Sequence, residues 1–245
     1  MRQLYYVIRT LLRGRGSNLI KIISLGLGLT MSILLFARVA FEQSFDKCYK
    51  DYDNLYQVFS IFTVNGEKSE PQDMNYGPVA GAILDNFPEE VEAATSICKW
   101  AASLPLYNGS VRFDDNKIMA DSLFFQTMGI EVLSGNPRDL MQKDVIFLSD
   151  RLATKIFGGE NPVGKVLRYN KSMEMTVKGT YAALPENTTL RPEAVISMPS
   201  MWSRDIGNYS WNGGDSYFEY IRFRPGADKE AVFARLDGMI QKYLP

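Results

Sequence analysis

Leu19–Phe41, LIKIISLGLGLTMSILLFARVAF, decides how the rest of the chain is read. From Ile22 to Ala37 it carries no charge, and nearly every residue is apolar or small. At a rise of about 1.5 Å per residue, roughly 20 such residues cross a hydrocarbon core about 30 Å thick. A buried helix of a soluble core would keep a polar side, and this run has none over about four turns. The segment predicts a transmembrane helix over 19–41.

Its flanks set an orientation. Arg2, Arg9, Arg13, Arg15 and Lys21 precede or enter it with no acidic residue among them. Excess positive charge stays on the cytoplasmic side. Residues 1–18 are therefore expected in the cytoplasm, with the stretch 3–15 as an amphipathic helix on the membrane surface, and residues 42–245 outside. A signal-peptide cut needs small residues before it. Cuts after Ala40 or Ala37 would put Arg38 or Leu35 where a small residue belongs, so an uncleaved anchor is expected. Within the helix Ser24, Gly28 and Ser32 recur every four residues on one face. Small residues let helices approach closely in lipid, so this face is a candidate for helix packing.

Composition narrows the chemistry. Residues 1–40 hold six Lys and Arg and no acid, which leaves 21 basic against 28 acidic residues beyond them, a net −7. An acidic outer part argues against a nucleic-acid surface. The 245 residues include no histidine, which removes the usual general base and the commonest metal ligand. Two cysteines, Cys48 and Cys98, cannot make a four-cysteine zinc site. Whether they pair is open at this level. Neither a catalytic set, a metal site nor a cofactor site is expected.

Beyond the anchor, short strands alternate with short helices. Strands are expected at Leu55–Val64, Val91–Trp100, Lys117–Ala120, Val145–Leu148, Ala194–Ser197 and Tyr217–Arg224. Hairpins are expected across Asn108-Gly109 and Asn170-Lys171, the latter joining Val166–Tyr169 to Glu174–Tyr181. Helices are expected over 78–86, from Asp121 or Ser122 to Met128, over 150–157 behind a Ser149 cap, and from Asp228 to about Tyr243.

Gly159–Lys165, GENPVGK, matches the first seven positions of a phosphate-binding P-loop. The eighth position must be Ser or Thr for Mg²⁺ and here is Val166, and the stretch follows a helix and enters a strand, the reverse of a P-loop. It reads as a Gly-rich turn. The acidic groups Asp51/Asp53, Asp114/Asp115 and Glu89/Glu90/Glu92 lack calcium-loop spacing and read as solvated faces. Asn-x-Ser/Thr sites at Asn108, Asn170, Asn187 and Asn208 read as turns, and Tyr217, Phe218, Tyr220 and Phe223 as strand core.

Taken in order, these motifs resemble the MacB-type ABC transporter permeases of the FtsX-like family. Arg9-Thr-Leu-Leu-Arg13 with Gly26-Leu-Gly28 resembles the family's start. Further on come Phe87-Pro-Glu-Glu-Val-Glu92, Ala120-Asp-Ser-Leu-Phe-Phe125, Leu133-Ser-Gly-Asn-Pro137, Leu148-Ser149 through Phe157-Gly158 to Asn161-Pro-Val-Gly-Lys165, and Val177-Lys-Gly179 with Leu184-Pro-Glu-Asn187. The resemblance implies an α+β periplasmic core domain of two lobes: a porter-like lobe over about 50–110 and 183–245, with a second lobe over about 111–182 inserted. It implies a dimer of this or a related permease in the bacterial inner membrane, working with a separate cytoplasmic ABC ATPase that binds the ATP. A periplasmic adaptor or envelope protein is a further expected partner, in export or mechanotransmission. The alternative within the same family is a membrane-tethered, FtsX-like module that binds and regulates an envelope protein. Members carry further membrane helices after the outer domain, so a chain ending at Pro245 resembles the N-terminal portion of a permease.

Overall fold

The computed structural model describes residues 6, 9, 17–64, 66–99, 104–204, 209–212 and 216–244. Arg2, Arg13 and Arg15, most of the 3–15 stretch, and Asn65, Trp100 and Asn208 lie outside them. The chain divides into two compact units, 1–46 and 47–245.

In the first unit, α1 (Ser17–Gln43) is a continuous helix that includes and slightly overruns the expected span. Its stretch Ile20–Gln43 is, among the described residues, one helix long and apolar enough to cross a membrane. The large apolar side chains along it are exposed, Phe36 at 76%. A helix apolar all round and uncovered by protein is matched to lipid rather than water. Thr30 Oγ1 donates to the Gly26 carbonyl at 2.8 Å and Ser32 Oγ to the Gly28 carbonyl at 2.9 Å. The hydroxyls thus satisfy themselves within the helix, as an apolar medium requires.

The second unit is built on one mixed sheet of eleven strands. In chain order these are β1 (Leu55–Val58), β4 (Val91–Cys98), β5 (Leu106–Asn108), β6 (Val111–Phe113), β7 (Lys117–Ala120), β8 (Val132–Ser134), β9 (Val145–Ser149), β10 (Val166–Tyr169), β11 (Met173–Tyr181), β12 (Ala194–Ser197) and β13 (Tyr217–Phe223), while β2 (Thr63–Val64) and β3 (Glu67–Lys68) form a separate hairpin. The order across the sheet is β1-β13-β4-β7-β12-β9-β11-β10-β5-β6, with β8 paired to β11. Two neighbouring pairs, β7 with β12 and β9 with β11, are parallel. The helices are α2 (Val79–Asn86), α3 (Phe124–Met128), α4 (Asp150–Phe157), α5 (Pro199–Trp202) and α6 (Lys229–Ile240).

The expected lobes interleave in this sheet. β12 lies between β7 and β9, and β5 between β10 and β6, so the bounds at 110 and 182 do not fall at sheet edges. The parallel pairs β7 with β12 and β9 with β11 require long crossovers, while β5 joins β10 and β6 by antiparallel pairing.

Burial follows strand alternation. On β9, Ile146 and Leu148 face a core shared with Leu152 of α4, Met175 and Ile196. Val145 and Phe147 face the other side, with Phe124 and Phe125 of α3, Tyr181 and Val195. A third core joins Ile83 of α2, Val91, Ile221, Phe223 and Val232 of α6. Strands covered on both faces lose the alternating polar pattern and read as apolar runs, as VIFLS does.

One expected element differs, and two short ones are additional. Leu55–Val64 is not one strand: β1 stops at Val58, and Ser60 pairs through its backbone with Gln72 instead. β8 and α5 were not anticipated, being too short to carry a periodicity.

Candidate functional site

The crossing of β8 over β11 explains two of the motifs. β11 has a bulge between Val177 and Gly179 where it pairs with β9, and Ser134 of β8 pairs with Thr180 just beyond. A Cβ on Gly179 would stand 2.2 Å from the Ser134 carbonyl oxygen and 2.3 Å from the Phe147 ring. One on Gly135 would stand 2.1 Å from the Lys178 oxygen, at a backbone φ of +86°. Only glycine permits this close approach. Asn136 then caps the short turn Pro137–Met141 by accepting from Arg138 N–H.

A second polar junction holds α4 to the sheet. Ser149 Oγ accepts from Leu152 N–H at 3.0 Å and donates to Glu193. Arg151 pairs with the same buried Glu193 carboxylate, and Asp150 Oδ1 accepts from Ala183 N–H at 3.0 Å. Arg151 is held above its ordinary pKa first by its hydrogen bond to Glu193. The look-alike Gly159–Lys165 follows α4 as a turn into β10, where Gly164 N–H donates to the Val177 carbonyl at 2.8 Å and Lys165 pairs with Glu160. Its geometry is helix, turn, strand, opposite to a phosphate-cradling loop.

The acidic groups singled out in the sequence are dispersed. Asp114 accepts from Arg112 Nε at 2.9 Å and lies below its ordinary pKa because of that bond. Asp115 pairs with Lys155 at 2.7 Å. Among the described residues no cluster of three or more acidic or sulfur ligands could hold a metal. Cys48 is exposed and Cys98 buried. Ser24, Gly28 and Ser32 lie along the exposed length of α1, where a Cβ on Gly28 would meet nothing within 4 Å. Arg9 and Lys21 are exposed and helical.

Sequence reasoning missed the buried charges of β13. On one face Glu219, fully buried, accepts from Ser96 Oγ at 2.7 Å and leaves Oε1 unpartnered among the described residues. Asp121 reaches the same serine from the β7–α3 turn, accepting from Ser96 N–H at 2.9 Å, from Thr95 Oγ1 and from Leu123 N–H. Burial pushes both carboxyls up, and the charge of Asp121 raises Glu219 further. Tyr209 packs across Gly77 and Tyr217 above them, and burial lifts its phenol to about 12.

On the opposite face of β13 Arg222 is 5% exposed. Its Nε donates to the Thr127 carbonyl at 2.7 Å and its Nη1 to the Asp51 carbonyl at 3.3 Å, while Nη2 has no partner among the described residues. Desolvation lowers its pKa, with Glu92 and Asp51 opposing. Arg222 lines a cavity of about 720 Å³ whose wall includes Phe125, Ile130 and Leu184 and whose charged groups are Lys50, Asp51, Glu92 and Glu131. The only sequence trace of either group was a Glu and an Arg amid the apolar residues of YFEYIRF.

The chain thus joins one membrane-length helix to a mixed α+β sheet domain. The chain belongs to the MacB-like periplasmic core domain family, whose signature matches residues 19–239. Among solved structures it resembles a domain described as that of a permease protein from Porphyromonas gingivalis, at 22% identity and a TM-score of 0.66, over 80% of this chain and 84% of that one. It resembles the periplasmic region of MacB from Actinobacillus actinomycetemcomitans at 16% identity and a TM-score of 0.57, over 77% and 83%. The extracellular domain of the noncanonic ABC-type transporter YknZ from Gram-positive bacteria matches at 12% and 0.56, over 77% and 94%. At these identities the likeness is one of fold. No curated protein matches. The family is one of transporter permease components rather than classical enzymes.

Proposed function

We propose that this chain is the anchored periplasmic part of a permease subunit in an ABC-type complex, passing the motion of a separate cytoplasmic ATPase to the outer domain. The family match over 19–239, which includes the anchor as well as the sheet domain, carries the reading. In it Arg2, Arg9, Arg13, Arg15 and Lys21 keep the N-terminus in the cytoplasm, and residues 42–245 lie in the periplasm at the bacterial inner membrane. The Ser24–Gly28–Ser32 face packs against further membrane helices, from a second copy or a related permease. ATP binds only to the ATPase, and Gly159–Lys165 serves as a turn.

The test is purification of the full chain from its native membranes. Co-purification of an ABC ATPase, with thiol labelling of exposed Cys48 that changes between ATP-bound and nucleotide-free complex, is expected. A tight envelope partner retained without any ATPase would overturn this and favour the FtsX-like regulatory module.

A further inference from the structure

The guanidinium of Arg222 is built into the sheet with no carboxylate hydrogen-bonded to it among the described residues, Glu92 and Asp51 acting on it only through space. Two backbone carbonyls clamp Nε and Nη1, and Nη2 is left over in the wall of a cavity. A buried charged donor left without an acceptor is costly, and structures keep one where something else completes it. The cost is not an accident of a loose surface arginine, because the surroundings are fitted to it. Gly129, which ends α3 with φ +67°, is the only residue type that fits there, since a Cβ would lie 2.8 Å from Nη2 and 3.0 Å from the Lys50 carbonyl oxygen. Thr127 Oγ1 is also buried and unpartnered among the described residues.

The cavity's size falls in the range that holds small organic ligands, about 300–1,000 Å³. Its lining mixes this donor with Phe125, Ile130, Leu184 and Pro185. Lys50 adds a second cation, and Asp51, Glu92 and Glu131 bring negative charge. Those three acids disfavour a dianion such as phosphate, whereas a single carboxylate matches the planar donor and adds only one negative charge. We propose that this cavity is a binding site for a carboxylate carried on an apolar group, its oxygens received by Arg222 with Lys50 assisting. A small organic acid and the free end of a peptide share that chemistry. The site stands independently of the coupling role proposed above.

The test titrates the full chain, purified in detergent, by calorimetry with 4-phenylbutyrate and with N-acetyl-leucyl-phenylalanine, each against its neutral amide, and with inorganic phosphate. The acid forms are expected to bind at least about tenfold more tightly than the amides, the worth of one charge-assisted hydrogen bond. Preference between the two acids separates the sources. Arg222→Gln should abolish the acid–amide difference, Lys50→Met should weaken acid binding a few-fold, and Glu92→Gln at the cavity wall should tighten it a few-fold. Equal binding of acid and amide, absence of binding up to about 10 mM, or phosphate binding as tightly as the acids would each overturn the proposal. If Arg222→Gln does not fold, Lys50→Met and Glu92→Gln decide: unchanged affinity in both sinks it.

Discussion

The β8–β11 crossing and the middle of β13 sit in the same sheet and use burial in opposite ways. At the crossing, two glycines let backbones nearly touch. Around β13, Glu219 and Arg222 are buried with polar atoms unmatched among the described residues. The first region spends its constraint on shape, and any added atom collides. The second holds charge in a medium that disfavours it, which is how proteins keep groups meant to titrate or to bind. Stability and responsiveness are thus placed in separate strands.

The sharpest way to break this contrast is Gly179→Ala. Its Cβ would meet backbone and a buried ring, neither of which can swing aside, so a loss of about 3 kcal/mol or more is expected in urea denaturation. A loss under about 1 kcal/mol would mean the crossing is not tightly set. Next is Arg151→Ala, which leaves the buried Glu193 carboxylate with the Ser149 hydroxyl and Arg191, 3.9 Å away, as its remaining partners. Because the Arg151 side chain is itself partly exposed, about 2 kcal/mol is expected, below the full cost of orphaning a buried charge.

The third prediction concerns pH. Glu219 has a folded-state pKa raised above its ordinary 4.5, and Asp121 above 3.8, both chiefly by burial. The folded protein therefore holds protons that the unfolded chain releases above these values. Stability should fall as pH rises from about 4.5, by at most about 1.4 kcal/mol per pH unit for each group. The groups facing Glu219 are Asp121, Tyr209 and Tyr217, and the two tyrosines stay neutral over this range. Glu219→Gln should flatten the melting temperature against pH between 4.5 and 7. An unchanged slope would show that Glu219 is ionised in the folded state.

The smallest effect belongs to α1. Gly28→Leu meets nothing within 4 Å, so melting of the 47–245 unit should be unchanged while assembly with membrane partners is lost. Altered melting would mean that the anchor supports the sheet.

Much of the fold was legible because the signals are local. Ser149 caps α4 and Asp228 caps α6, each accepting a backbone N–H as their positions suggested. Asn170 and Lys171 both adopt left-handed conformations in the tight turn between the paired Tyr169 and Met173. The buried charges of β13 were not legible. A Glu or Arg inside an apolar strand looks the same whether it ends in solvent, in an ion pair or in a cavity wall. What distinguishes these is which helix packs on which face, and α2, α3 and β13 are far apart in the chain.

By itself the sequence determined the anchor, the α+β alternation and the absence of histidine chemistry, because length, periodicity and composition act over short stretches of chain. Only the tertiary structure decided the strand order, the interleaving of the two expected lobes and the placement of Arg222 beside a cavity. Those depend on parallel pairings between distant strands, and no short stretch encodes its partner.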